Sequence, residues 1–194
     1  MELIKVFDDV LEDSMCQSII EVFDNNPVYH KSGITSNGYN PDIKLTTDVN
    51  ISDLTNTHIW KSIDDSLNYA LNKHIHMYFE YMNSLNNHYK IFEDLQDTGF
   101  LMQKYNKNNG HFKYHHDFST IYENNDIYYR ALVYIFYLND VDEGGETILW
   151  NDYKIKPKAG SLLFFPASWT YPHKGNVPIS HDKYIVTGWL YAKI

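Results

Sequence analysis

Hydrophobic positions near the start of the chain recur every three or four residues. The set comprises Cys16, Ile19, Ile20 and Phe23. This spacing predicts an amphipathic helix over about residues 14–25. Ser14-x-x-Gln17 has the form of a capping box at the helix start, and Asn26 before Pro27 is expected to end the helix.

A longer apolar stripe follows in the first half of the chain. Its members are Trp60, Ile63, Leu67, Leu71 and Tyr78. The stripe predicts a helix over residues 57–85 whose apolar face covers a sheet. His74 and His76 lie two apart, so they do not share a helix face, and we expect both to be ordinary surface or interface residues.

The remaining pattern is that of strands and loops. Residues 2–7 predict a short strand. Residues 28–50 are rich in Gly, Asn, Ser and Thr and predict a long loop with a short strand near residues 43–49. A loop of this length is either a functional lid or flexible surface. The polar stretch 118–130 is a second candidate lid.

From residue 98 onward, short β-rich runs alternate with turn signals. These runs are 100–105, 111–117, 131–138, 146–150, 161–165 and 184–191. Helices followed by many short strands predict an α+β fold with a sandwich or jelly roll as its main body. We expect a single domain over residues 1–194, with helical support over 1–90 and a jelly-roll core over 98–194.

Composition narrows the class of protein. Of 194 residues, 43% are hydrophobic and 16% aromatic, which argues for a packed core and against disorder. The net charge of −9 and the lack of a basic cluster argue against a nucleic-acid partner. Cys16 is the single cysteine, which excludes an intrachain disulfide framework and a cysteine-rich zinc site. With no signal-peptide pattern and no apolar run of about 18 residues, we expect a soluble cytoplasmic protein without a membrane partner.

The clearest chemical pattern lies at the end of the 111–117 run. Residues two apart on a strand point to the same face, so His115 and Asp117 project together and His116 points away. One imidazole and one carboxylate are two members of a facial triad, which favours Fe(II). A polar strand end with solvated side chains is the alternative. The third ligand would come from a later strand, and His173 and His181 are the histidines that remain.

A lysine at the start of the last strand adds a second pattern. Lys183 shares a face with Ile185, Thr187 and Trp189. A cation on such a face needs an anion, which a dicarboxylate cosubstrate would supply. An exposed strand start is the other interpretation of Lys183.

Taken in order, these motifs resemble those of the 2-oxoglutarate- and Fe(II)-dependent dioxygenases of the prolyl 4-hydroxylase type. The matching pieces are Tyr105…Gly110…His115-His116-Asp117, Arg130…Tyr137-Leu138-Asn139, Gly144-Gly145-Glu146-Thr147, Pro157-x-x-Gly160, His173-x-Gly175, Lys183-Tyr184 and Trp189. The resemblance spans nearly the whole chain. It implies a double-stranded β-helix, or jelly roll, with N-terminal helices packed on the major sheet.

The resemblance also implies a set of residue roles. The implied iron ligands are His115, Asp117 and His173. Lys183 would pair with the distal carboxylate of 2-oxoglutarate, and Tyr105 would hydrogen-bond near it. Arg130 would face the substrate, with a structural salt bridge as its alternative role. Fe(II), 2-oxoglutarate and O2 are the implied cofactor and cosubstrates, and ascorbate is a candidate reductant.

The implied reaction is hydroxylation of an unactivated C–H bond, with succinate and CO2 as coproducts. The expected substrate is a proline in a peptide or protein. Three alternatives stay open: an oxygenase acting on a small molecule or another residue type, a halogenase, which Asp117 argues against, and a non-catalytic jelly-roll binding module. Two departures from the family pattern, Val133 and Phe112, remove hydroxyl groups near the site and put affinity for 2-oxoglutarate in question.

Overall fold

The computed structural model describes residues 3–85, 95–123 and 125–193. Two helices are present in this part of the chain, α1 (Asp13–Asp24) and α2 (His58–Leu85). The strands are β1 (Lys5–Phe7), β2 (Lys31–Ser32), β3 (Lys44–Leu45), β4 (Thr47–Asn50), β5 (Leu95–Asp97), β6 (Leu101–Tyr105), β7 (His111–His115), β8 (Thr120–Glu123), β9 (Asp126–Tyr137), β10 (Thr147–Leu149), β11 (Tyr153–Ile155), β12 (Leu162–Pro166), β13 (His173–Gly175) and β14 (Lys183–Lys193).

Antiparallel pairing arranges these strands in two sheets. The described part of the major sheet has nine strands in the order β1-β12-β9-β14-β6-β4-β2, with β5 beside β14 and β8 beside β9. The minor sheet has five, in the order β11-β10-β13-β7-β3. Strands that are neighbours within a sheet are mostly far apart in sequence. This order is expected of a jelly roll, in which long connections join the strands. The predicted α+β class with a jelly-roll body is thus confirmed in its coarse form.

The major sheet is buried on both faces because its central strands alternate two sets of apolar side chains. Tyr134 and Phe136 of β9 belong to an apolar cluster shared with both helices, whereas Val133 and Ile135 belong to a second cluster with strand residues. This is the period-two alternation expected of a strand. Across the first cluster, the ring of Tyr78 in α2 lies 5.3 Å from that of Phe164 in β12.

Both predicted helices are present within two residues of the expected bounds, but one detail of the prediction is wrong. The capping box is absent, since α1 begins at Asp13 after Glu12, which makes no side-chain capping hydrogen bond. Of the two histidines expected at the surface or an interface, His76 is exposed, and His74 is buried between α2 and β1. Nδ1 of His74 donates to the carbonyl of Ala70 at 2.8 Å, and its ring meets Phe7 edge-on. A histidine whose polar nitrogen is satisfied within its own helix can enter an apolar layer.

The two segments that were predicted as loops contain more β-strand than expected. Residues 28–50 hold β2, β3 and β4, and the 118–130 stretch forms a hairpin in which β8 pairs with the start of β9. The hairpin turn includes Asn125 at a φ of 67°, a conformation that asparagine tolerates well. The predicted strand 111–117 is also shorter, since β7 ends at His115.

Cys16 is fully enclosed by α1 and its neighbours. Its side chain is buried, and this burial raises the pKa of the thiol to about 11. Within the described ranges, no helix combines the length and apolar character required to cross a membrane.

The first apolar cluster yields a stability prediction. Leu67 is fully buried in α2, whereas Tyr69 on the same helix is 76% exposed. Leu67→Ala should lower the free energy of unfolding by about 2–5 kcal/mol, the range for a large-to-small substitution that leaves a cavity. Tyr69→Ala should change it by less than about 0.5 kcal/mol. Urea denaturation followed by circular dichroism measures both, and equal effects would contradict the packing described here.

Candidate metal centre and cosubstrate pocket

Strand pairing brings the two histidines of the predicted triad together. His115 ends β7 and lies opposite His173, which begins β13. Asp117 follows β7 and points back, with Oδ2 at 3.3 Å from Nε2 of His173 and Oδ1 at 3.8 Å from Nε2 of His115. The three ligand atoms lie within 4.8 Å of one another. Two imidazoles and one carboxylate in this arrangement fit a facial iron site with open positions.

Backbone carbonyls fix the orientation of both imidazoles. Nδ1 of His115 contacts the carbonyl oxygen of Lys113 at 2.8 Å, and Nδ1 of His173 contacts that of Tyr171 at 3.1 Å. A carbonyl oxygen only accepts, so each Nδ1 carries the proton and each Nε2 keeps its lone pair for a metal. The ring of Phe112 stacks on that of His115, with 3.6 Å between the ring centroids, and further restrains the imidazole.

The local electrostatics suit a divalent cation. Burial and the neighbouring His173 lower the pKa of His115 to about 4. Burial alone would raise the pKa of the Asp117 carboxyl, but His173 and His115 hold it below its usual value. At neutral pH the site therefore offers a neutral His115 imidazole beside an ionised carboxylate, which is the protonation state that metal binding needs.

Lys183 lies at the start of β14 and is only 1% exposed. Its ammonium is 4.8 Å from the ring centroid of Tyr105 and 5.7 Å from that of Tyr137. Across the described ranges, no carboxylate lies within ion-pairing distance of this ammonium. Burial lowers the pKa of Lys183 to about 7, an effect that Glu146 only partly opposes. A buried cation of this kind is suited to an anionic ligand.

Two hydroxyl groups near Lys183 were missed by the sequence analysis. Tyr137 is fully buried, and its hydroxyl donates to Oγ1 of Thr147 at 2.7 Å. Thr147 also lines the cavity that contains Lys183. Both residues stand in motifs that carry the family resemblance, and Tyr137 shares a strand face with Val133, so alternation along β9 was a signal that could have located it.

Tyr105 lies beside Lys183, as the prediction requires, but its hydroxyl is already engaged. It donates to Oε1 of Gln103 at 3.2 Å. Gly175 permits this placement, because a Cβ there would lie 2.9 Å from Cε1 of Tyr105.

Arg130 lies on the wall of the same cavity. Its guanidinium stacks 3.8 Å above the ring of Trp189, and its Nε donates to the Tyr191 hydroxyl at 3.0 Å. No ion pair of Arg130 occurs among the described residues, so the structural salt bridge considered as an alternative is not seen there.

These side chains line one cavity of about 580 Å³. Its wall includes all three triad residues, Lys183, Tyr105, Arg130 and residues 34–37. His116, which was expected to point away, is exposed and also borders the cavity, because the chain has left β7 before Asp117. Val133 and Phe112, the positions that depart from the family pattern, both line this cavity.

Comparison with known proteins agrees with this geometry. Residues 100–191 match the model of the 2OG-Fe(II) oxygenase superfamily. A search of curated proteins finds no match.

Several solved structures share the fold. A prolyl hydroxylase from Trichoplax adhaerens, in complex with a hypoxia inducible factor peptide fragment, has a TM-score of 0.74 at 16% identity, covering 99% of this chain and 84% of its own. The viral collagen prolyl hydroxylase of Paramecium Bursaria Chlorella virus-1, in complex with 2OG, has a TM-score of 0.65 at 18% identity over 98% and 96%. A Pseudomonas putida prolyl-4-hydroxylase has a TM-score of 0.64 at 13% identity over 96% and 91%.

The family match, the fold and the triad together indicate the class of protein. Residues 100–191 match the 2OG-Fe(II) oxygenase superfamily and contain all three triad residues, which supports a 2-oxoglutarate- and Fe(II)-dependent dioxygenase. Its fold is that of the prolyl hydroxylases, and Fe(II), 2-oxoglutarate and O2 are the cofactor and cosubstrates of this class.

The triad geometry generates the first prediction for the site. His115→Ala, Asp117→Ala and His173→Ala should each weaken Fe(II) binding by more than the roughly 10–100-fold that loss of an outer partner costs. Circular dichroism should show a folded protein in each case. His116→Ala is the matched control and should bind Fe(II) normally in an anaerobic titration. Iron binding that survives in His115→Ala but is lost in His116→Ala would show that the ligands are assigned wrongly.

The buried lysine generates a prediction about pH. Lys183, with a pKa of about 7, loses its charge as the pH rises through 7, and a dicarboxylate binds the charged form. Affinity for 2-oxoglutarate should therefore be highest below pH 7 and fall about tenfold between about pH 6 and about pH 8. In Lys183→Arg the guanidinium stays charged, so this slope should disappear. An anaerobic titration of wild type and of Lys183→Arg at both pH values measures the slope, and a flat wild-type profile would show that Lys183 does not lose its charge in this range.

Proposed function

We propose that this dioxygenase hydroxylates prolyl residues of a peptide or protein at C4. The observation that carries the proposal is a groove of about 480 Å³ beside the cavity that contains the triad and Lys183. Leu101, Arg130 and Trp189 line both spaces. We infer that a substrate longer than one amino acid uses the groove as well as the cavity.

In this proposal, one set of residues binds iron and another residue binds the cosubstrate. His115, Asp117 and His173 hold Fe(II), and Lys183 pairs with the distal carboxylate of 2-oxoglutarate. The fit rests on the buried ammonium of Lys183, whose pKa is lowered by burial and which has no carboxylate within ion-pairing distance among the described residues. When bound, iron and 2-oxoglutarate use O2 to oxidise a C–H bond, with succinate and CO2 as coproducts. The protein holds the reactants in place and keeps water out.

Arg130 is the residue that we propose to face the substrate. Its guanidinium is held flat on Trp189, and Nε is used by Tyr191. Guanidinium N–H groups beyond Nε can then donate to peptide carbonyls, which an extended or polyproline II segment exposes. Two of the structural relatives support a peptide substrate by their descriptions, one bound to a hypoxia inducible factor fragment and one described as a collagen prolyl hydroxylase.

We also propose that the chain works as one domain, with residues 1–90 supporting the core formed by 98–194. The N-terminal helices would then pack on the major sheet and stabilise it. Two contacts favour this: the Tyr78–Phe164 ring pair, and the hydroxyl of Tyr184, which donates to the Asp24 carboxylate at 2.9 Å.

The substrate proposal is tested by mass spectrometry. A panel of proline-rich peptides and a native protein extract are incubated with enzyme, Fe(II), ascorbate and 2-oxoglutarate, and Asp117→Ala is the control. One oxygen should be gained on proline with wild-type enzyme and none with the variant. Fragmentation and comparison with synthetic 4-hydroxyproline would locate the hydroxyl.

Two outcomes would contradict the proposal in different ways. Oxygen gained by free amino acids or other small molecules, and by no peptide, would leave an oxygenase with another substrate. An absence of both succinate and Fe(II) binding would favour the non-catalytic jelly-roll module.

A further inference from the structure

A buried ion pair joins the two sheets beside the cavity. Nζ of Lys44 lies 2.7 Å from Oδ2 of Asp48, and both side chains are at least nine-tenths buried. Lys44 belongs to β3 of the minor sheet, and Asp48 belongs to β4 of the major sheet. A buried ion pair contributes little net stability compared with apolar residues of similar size. Its position therefore points to a role other than stability.

Lys44 also holds the segment that covers the cavity, residues 33–43, which we call the flap. Nζ of Lys44 donates to the carbonyl of Ile34 at 3.5 Å, and its backbone N–H donates to the carbonyl of Asn40 at 3.0 Å. The ends of the flap are also tied by two backbone hydrogen bonds, from Gly33 N–H to the Thr46 carbonyl at 2.9 Å and from Lys113 N–H to the Ile43 carbonyl at 2.8 Å. The side chain of Lys44 is the tie that reaches residue 34. Gly33 gives the lysine stem its space, because a Cβ there would lie 2.9 Å from Cε of Lys44.

The flap is part of the cavity wall. Residues 34–37 line the same space as the triad and Lys183. Thr35 and Gly38 close a tight turn through reciprocal backbone hydrogen bonds of 3.0 and 2.9 Å. This turn holds its own shape, so its position over the cavity depends on the residues that tie its ends.

The tie is close to the metal ligands. The Lys44 ammonium lies 5.4 Å from the ring centroid of Phe112, and that ring stacks on His115. One residue thus contacts the flap, the opposite sheet and the ring that packs on a triad histidine.

We propose that Lys44, held by Asp48, is a positioning residue that latches the flap over the cavity. The latch keeps bulk water from the reaction space, so that consumption of 2-oxoglutarate stays coupled to substrate oxidation. The effect on turnover rests on the proposed function, whereas the latch itself does not.

The test uses a double variant that removes the pair without leaving a buried charge. Lys44→Met/Asp48→Asn keeps the size of both side chains and is expected to fold. Lys44→Arg keeps the charge and is the rescue variant. Lys104→Met/Asp24→Asn is the matched control, because it removes another lysine–aspartate pair, between β6 of the major sheet and α1, and neither side chain lines the cavity.

Two measurements follow on each protein. Amide hydrogen exchange over residues 33–43, read by mass spectrometry, should be at least about tenfold faster in Lys44→Met/Asp48→Asn, a factor that corresponds to about 1.4 kcal/mol. It should match wild type in the rescue and control variants. Succinate formed from 2-oxoglutarate without any second substrate should rise in the same variant, at unchanged affinity for 2-oxoglutarate.

The outcomes separate this inference from the proposed function. Unchanged exchange over the flap in Lys44→Met/Asp48→Asn would overturn the latch. Faster exchange without a rise in substrate-free succinate would overturn its role in coupling. If wild type forms no succinate even with the peptide panel present, the proposed function fails, and hydrogen exchange alone then decides whether the latch exists.

Discussion

The pairing of β7 with β13 is the constraint on which the metal centre depends. His115 and His173 are far apart in sequence and meet only because these strands are hydrogen-bonded neighbours. β13 is fixed on its other side by β10, where Leu149 lies opposite His173. The minor sheet thus fixes two of the three proposed ligands, and the chain after β7 has only to position Asp117.

The major sheet contributes a different kind of element, a buried cation that has no carboxylate within ion-pairing distance in the described part of the chain. β14 places Lys183 opposite Tyr105 of β6, inside the layer between the sheets. Keeping an ammonium there is unfavourable, and its lowered pKa is the sign of that cost. Either loss of the proton or an anionic ligand relieves this cost. In the proposed site the two sheets therefore have different roles, the minor sheet for the metal and the major sheet for the anion.

The sequence predicted the helices, which produce a hydrophobic periodicity, and the site residues, which belong to an ordered set of motifs. The apolar stripes predicted both helices within two residues of their bounds, and the family motifs placed the triad residues and Lys183 on one cavity. The roles of those residues remain predictions that the proposed titrations address.

Other features were beyond the reach of the sequence because they arise from contacts between distant segments. β2 and β3 are two residues long, too short for an alternation signal. His74 is buried because Phe7, from the other end of the N-terminal region, meets it. The Lys44–Asp48 pair reads in sequence as two solvated charges, and only the junction of the two sheets buries it. Strand alternation predicted that Asp117 lies on the same face as His115. Asp117 does line the cavity, but β7 ends at His115, so alternation is not the reason.

The single thiol has a consequence for an enzyme that handles oxygen and iron. Oxidation of cysteine proceeds through the thiolate, and Cys16 is kept protonated and enclosed by its burial. Reactive oxygen species released in a failed turnover therefore meet no accessible sulfhydryl on their own protein. Protection against self-inactivation by this route is built into the packing of α1.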